Sequence, residues 1–162
     1  MTEFKLVKRD CGFIENIGLH NGHVYAVAFN AIFAIRCGYV LLNDTDRFPL
    51  EKYDDIVHAH GHLTLLENDA SHIFETGDIK NQRIIGWDYN HVNDGGDFEV
   101  AKEFAKLHND MPLLESINNL EKSELVIGRK RHVYTSDEVS EDCKKVIDEL
   151  VEYQKQYDES FK

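Results

Sequence analysis

The chain reads as one α+β domain, a mainly antiparallel sheet packed against a long C-terminal amphipathic helix and a shorter one. Three observations predict this. Residues 1–42 and 83–91 hold strand-like runs, with Tyr25, Val27 and Phe29 alternating onto one face. Residues 98–109 place Val100 or Ala101, Phe104 and Leu107 at helical spacing. Near the C-terminus, Thr135-Ser136-Asp137-Glu138 is a capping box ahead of a stripe of Val139, Cys143, Val146, Ile147, Leu150 and Val151.

In chain order, Asn21-Gly22 is a turn between two strands. Residues 31–42 are apolar apart from Arg36, with strand favoured for at least residues 37–42. A guanidinium in such a run needs either an acid of this protein or an anion on a ligand. Residues 43–53 are a loop with Pro49 as a breaker, and Tyr53-Asp54-Asp55 leads into a strand bearing His58, His60 and His62 and running to Leu66. Residues 68–82 are polar, with a turn at Gly77-Asp78; residues 83–91 are the next strand, and Asn93-Asp94-Gly95-Gly96-Asp97 is a turn whose last residue suits an N-cap. Residues 111–120 are irregular or a short helix, and Leu125-Val126-Ile127-Gly128 with His132-Val133-Tyr134 suits a β ribbon.

A chain of 162 residues can bury a sizeable core without staples. Cys11, Cys37 and Cys143 form no disulfide framework, the start lacks a signal peptide, and no apolar run approaches a membrane span, so a soluble protein of a reducing cytoplasm is expected. The net charge of −12 opposes binding to a nucleic-acid polymer. The C-terminal acids suit a solvated helix face, and the basic run Arg129-Lys130-Arg131-His132 suits pairing with them or, second, a small phosphorylated ligand.

Chemistry concentrates in residues 58–94, which hold five of the nine histidines and the only tryptophan. On a strand, His58, His60 and His62 would project from one face with Thr64 next in line. Together with Asp88 or His91 they could ligate zinc, although no second H-x-H supports this and no metal or other cofactor is expected. Alternatively, His60 and His91 could act as an acid–base pair on a phosphodiester, with Thr64 beside them. The tripeptide His62-Leu63-Thr64 matches half of the H-x-T signature of two-histidine phosphoesterases, but the required duplicate is missing. A third reading is a binding pocket, with Trp87, Tyr89 and Tyr39 as stacking faces, Arg36, Arg83 or Lys80 for phosphate and Asp88 for a ribose or base edge.

The ordered motifs Cys37-Gly38-Tyr39-Val40, Tyr53-Asp54-Asp55-Ile56, His60-Gly61-His62-Leu63-Thr64 and Gly86-Trp87-Asp88-Tyr89-Asn90-His91 with Asp94 resemble a group of small phage and prophage proteins. Their pattern is C-G-Y-V, Y-D-D-I/V, V-H-G-G-L-T and G-F-D-x-x-H-x-G-D, followed by a closing amphipathic helix. The resemblance covers residues 36–94 and the last helix, and it carries over to His60, Thr64, Asp88, His91 and Asp94. His62 and Asn93 stand here where the pattern has glycine. It implies a phage-encoded setting, in which small accessory proteins often disarm host defence.

The combined expectation is an anti-defence protein, a homo-oligomer by analogy with shared signal-binding pockets. It would sequester a nucleotide-derived small molecule using Arg36, Tyr39, His60, His62, Thr64, Trp87, Asp88, His91 and Asp94. Cleavage of a cyclic nucleotide by His60, Thr64 and His91 is the alternative, and acidic protein–protein inhibition is a third.

Overall fold

A computed structural model describes residues 12–74, 81–127 and 131–161. Five antiparallel strands, β1 (Gly12–His20), β2 (His23–Asn30), β3 (Ile35–Leu41), β4 (Leu65–Glu67) and β5 (Ile84–Asp88), form one sheet in the order β1-β2-β3-β5-β4. Between them lies a one-turn helix, α1 (Tyr53–Ile56), and after them α2 (Phe98–Leu107), α3 (Met111–Ile127) and α4 (Ser136–Glu159). The α+β architecture and the long last helix are as the sequence predicts.

One sheet face is covered by α4. Tyr25, Val27, Val40, Ile85, Trp87 and Tyr89 pack there with Val139, Cys143, Val146, Ile147 and Leu150, the stripe expected from the periodicity. The capping box closes as expected, with the Thr135 hydroxyl accepting from the Glu138 amide at 3.2 Å and the Glu138 carboxylate accepting from the Thr135 amide at 3.2 Å. Burial pushes the Cys143 thiol up to about 12, so it packs as a small hydrophobe. The glycine of the Cys37-Gly38-Tyr39-Val40 motif has a packing reason: a Cβ on Gly38 would lie 2.6 Å from the indole of Trp87, its cross-strand partner. The opposite face buries Ala26, Leu41, Phe74 and Ile84, with Tyr39 edge-on to Phe74 at 5.3 Å.

Asp97 is the N-cap of α2 as predicted, accepting from the Val100 amide at 3.4 Å. Residues 111–127 differ from the sequence expectation, forming one continuous helix in place of a short helix and the first half of a β ribbon. Asp110 accepts from the Leu113 amide at 3.0 Å, and Pro112 occupies the first turn, where its missing N–H costs nothing. The β-branched Val126 argued for strand, but it is 86% exposed and finds no sheet to pack against. His132, expected in that ribbon, instead forms an isolated bridge with Asp94. Gly77-Asp78, Lys80, Arg129 and Lys130 lie outside the described residues. Among the described residues no helix is long and apolar enough to cross a membrane.

The acids of α4 do more than face solvent. Asp148 bonds His20 at 2.8 Å, Glu149 bonds His58 at 2.6 Å and Glu138 bonds His132 at 2.7 Å.

Arg36 is buried, and its partners are acids of this protein. Its Nε and Nη2 donate to the two Glu15 oxygens at 2.6 and 3.0 Å, while Nη1 donates to Asp97 at 2.7 Å and to the Tyr134 carbonyl at 2.9 Å. Glu15 is the extra residue of a β-bulge between Ile14 and Asn16, which turns its side chain to this face. Arg36→Ala would leave these two carboxylates without their cation, and we expect it to lower unfolding free energy by about 3–5 kcal/mol in urea titration.

Candidate functional site

The histidine segment is a turn where a strand was expected. Residues 57–63 make no ladder: Gly61 has φ of +74° and His62 of +87°, and the His62 amide donates to the Ala59 carbonyl at 3.3 Å. Two successive left-handed residues break the period-2 alternation that would have put three imidazoles on one face. His58 therefore turns to Glu149, with 89% of its side chain exposed, and His62 lies in solvent, 83% exposed and 3.8 Å from Asp54. Only His60 turns inward. Asp54 secures the turn by accepting from the Leu63 amide at 2.8 Å, which gives the Tyr53-Asp54-Asp55-Ile56 motif a structural task.

His60 meets Asp94 and His91. Its Nε2 lies 2.9 and 2.8 Å from the two Asp94 oxygens, and His91 Nδ1 lies 2.9 Å from Asp94 Oδ2. The His91 amide donates to the same oxygen at 3.0 Å. The Asp94 side chain is only 3% exposed, against 25% for His60 and 36% for His91, so a buried carboxylate lies beneath two accessible imidazoles. Burial pushes the Asp94 carboxyl up, but the hydrogen bonds from His60 and His91 together outweigh this and hold it below the usual carboxylate range.

Aromatic rings set the pose of His60. Tyr89 stacks on it at 4.5 Å with planes 16° apart, and Tyr134 tilts against it at 4.7 Å. Tyr89 is in turn pinned by donating to Asp142 at 2.6 Å and accepting from the Trp87 indole at 3.1 Å. Burial, with the negative Asp94, Asp142 and Glu138 nearby, raises the Tyr134 phenol, so it keeps its proton and remains a donor. Behind His91, a Cβ on Gly61 would fall 2.2 Å from Nε2, so no other residue fits there without moving the ring.

The remaining candidates are dispersed. Thr64 and Asp88 form their own pair at 3.3 Å. Strand alternation turns Asp88 to the face opposite Trp87 and Tyr89, and Tyr39 packs on that opposite face too, against Gly86 and Phe74. Trp87 is 1% exposed and cannot serve as a stacking surface. Arg36 is consumed by Glu15 and Asp97. Arg83 donates to the Phe48 carbonyl at 2.6 Å and also to the Asp46 carbonyl. Of the expected site residues, the structure thus brings together His60, His91 and Asp94, with Tyr89 and Tyr134 packed on His60. Tyr134 was missed because nothing in the stretch before the capping box shows that it returns to residue 60.

The ligand atoms of His60, His91 and Asp94 all lie within 4.8 Å of one another, so these three residues could also hold a metal ion. Without an ion, Asp94 fixes the orientation of both imidazoles, as a carboxylate does for a general base.

Because its folded carboxyl is depressed, Asp94 stabilises the fold above its unfolded value of about 4 and loses that contribution as pH falls through the lower folded value. The stability advantage of the wild type over Asp94→Asn, measured by urea titration, should therefore shrink between about pH 5 and pH 3. Gly61→Ala should displace His91 while leaving His58 untouched, read from imidazole chemical shifts. The chain matches no family model, no curated protein and no solved structure.

Proposed function

We propose that the protein is a phosphoester hydrolase acting on a nucleotide-derived small molecule at the His60–Asp94–His91 centre. The observation that carries this reading is the buried Asp94 carboxylate bonded to two partly exposed imidazoles at 2.8 and 2.9 Å. A side chain held in that way costs free energy to desolvate, and the cost is offset by the two hydrogen bonds that orient His60 and His91. Tyr134 adds a phenol that can donate to a phosphate oxygen.

Hydrolysis is favoured over sequestration because the stacking pocket lost its parts. Trp87 and Tyr89 are 1% and 2% exposed, and Arg36 is paired within the chain, whereas a sequestering pocket would need such groups free for a base and a phosphate. The resemblance to small phage and prophage proteins supports a setting in the host cytoplasm, with a cyclic nucleotide immune signal as the substrate and interference with host defence as the role.

The test is incubation of the purified protein with cyclic dinucleotides and cyclic ADP-ribose species, with chromatography before and after heat release. Linear products are expected, and His60→Ala or His91→Ala should slow their formation by roughly 100-fold to 10,000-fold. Intact ligand released only by heating would replace hydrolysis with sequestration. Neither products nor retained ligand would remove the reading, and a host protein partner that survives His60→Ala would favour protein–protein inhibition.

A further inference from the structure

We infer that His60 Nε2, His91 Nδ1 and a carboxylate oxygen of Asp94 form a binding site for a divalent transition metal of the zinc type. This rests on the centre described above and deepens the hydrolytic reading by naming what would activate the water. Asp94 Oδ2 has three nitrogens around it, His60 Nε2 at 2.8 Å, His91 Nδ1 at 2.9 Å and the His91 amide at 3.0 Å. The amide is a fixed backbone donor, but the two imidazole nitrogens are potential ligands that converge on the same point.

The three ligand atoms lie within 4.8 Å of one another. Nitrogen and oxygen ligands sit about 2.0–2.2 Å from zinc, which separates neighbouring ligands in a tetrahedron by about 3.4 Å, so small side-chain rotations admit the ion. Two imidazoles and one carboxylate suit a transition metal better than magnesium or calcium, which favour oxygen. Three protein ligands leave a fourth position open, and the partial exposure of His60 and His91 puts that position towards water.

The surroundings suit a metal centre. His60 packs in a cluster with the Tyr89 ring at 4.5 Å and the Tyr134 ring at 4.7 Å, which lie 4.8 Å from each other, and His91 is backed by Gly61, where a Cβ would come within 2.2 Å. Both rings are therefore held before an ion arrives. The ion takes neutral imidazole, any N–H on a facing nitrogen moving to the other ring nitrogen, and competes with protons for these ligands, so uptake weakens as pH falls. The site differs from the H-x-H-x-H array that the sequence suggests, since His58 and His62 take no part.

The test uses the EDTA-treated full chain, titrated with Zn2+ by calorimetry in buffers of different pH and with Co2+ by visible absorption. We expect one ion per chain, uptake that weakens as pH falls, and a tetrahedral Co2+ spectrum. His60→Ala and His91→Ala should each weaken binding beyond the roughly 100-fold that loss of an outer partner costs, while His58→Ala and His62→Ala leave it unchanged. X-ray absorption of the wild-type Zn2+ form, which is independent of how variants fold, should count two imidazole ligands. No uptake by the wild type, or uptake without imidazole ligands, overturns the site. Hydrolysis that persists in EDTA and is lost in His60→Ala also overturns it while keeping the hydrolytic reading; uptake without any hydrolysis keeps the metal site and removes that reading.

Discussion

A guanidinium removed from water must be neutralised and its donors satisfied, and Arg36 imposes this requirement on half the molecule. Its partners come from a bulge in β1, from the N-cap of α2 and from the carbonyl of Tyr134 just ahead of α4. Each of these segments is irregular backbone that would otherwise have several alternatives. Glu15 fixes the bulge, Asp97 serves the helix end and the cation together, and the Tyr134 carbonyl sets the direction in which the chain enters α4. The Tyr134 side chain is thereby delivered to His60. An internal ion network so becomes a positioning device for the candidate site.

The site itself follows the same logic of one buried charge organising several neighbours. Asp94 lies in the turn after β5, bonded by two imidazoles that come from separate turns. The turn carrying His60 is shaped by Gly61 and His62 in left-handed conformation and is secured by Asp54. A left-handed histidine carries some strain, and the contact of Gly61 with the His91 ring shows what that conformation accommodates. His62 takes that strained position and points away from the centre.

Much of the fold was legible from local patterns. The capping box and stripe of α4, the Asp97 cap of α2 and the alternation in β2 are short-range signals, and short-range physics decides them. Residues 111–127 were misread because exposed β-branched residues near the C-terminal end of α3 mimic a strand, while the informative Asp110 and Pro112 sit at its start. The histidine strand failed for a comparable reason. Spacing by two is a face only if the backbone is extended, and Gly61 is the residue that made it otherwise.

The sequence by itself determined the α+β class, the start of its last helix and the apolar stripe along it, because propensity, capping and periodicity act over a few residues. Only the tertiary structure decided which polar groups meet. It turned Asp88 and Tyr39 to one sheet face and Trp87 and Tyr89 to the other, closed Arg36 on Glu15 and Asp97, and brought Tyr134 onto His60. Those pairings are set by strand register and by the neutralisation of buried charge across distant segments, and neither leaves a periodic trace in the chain.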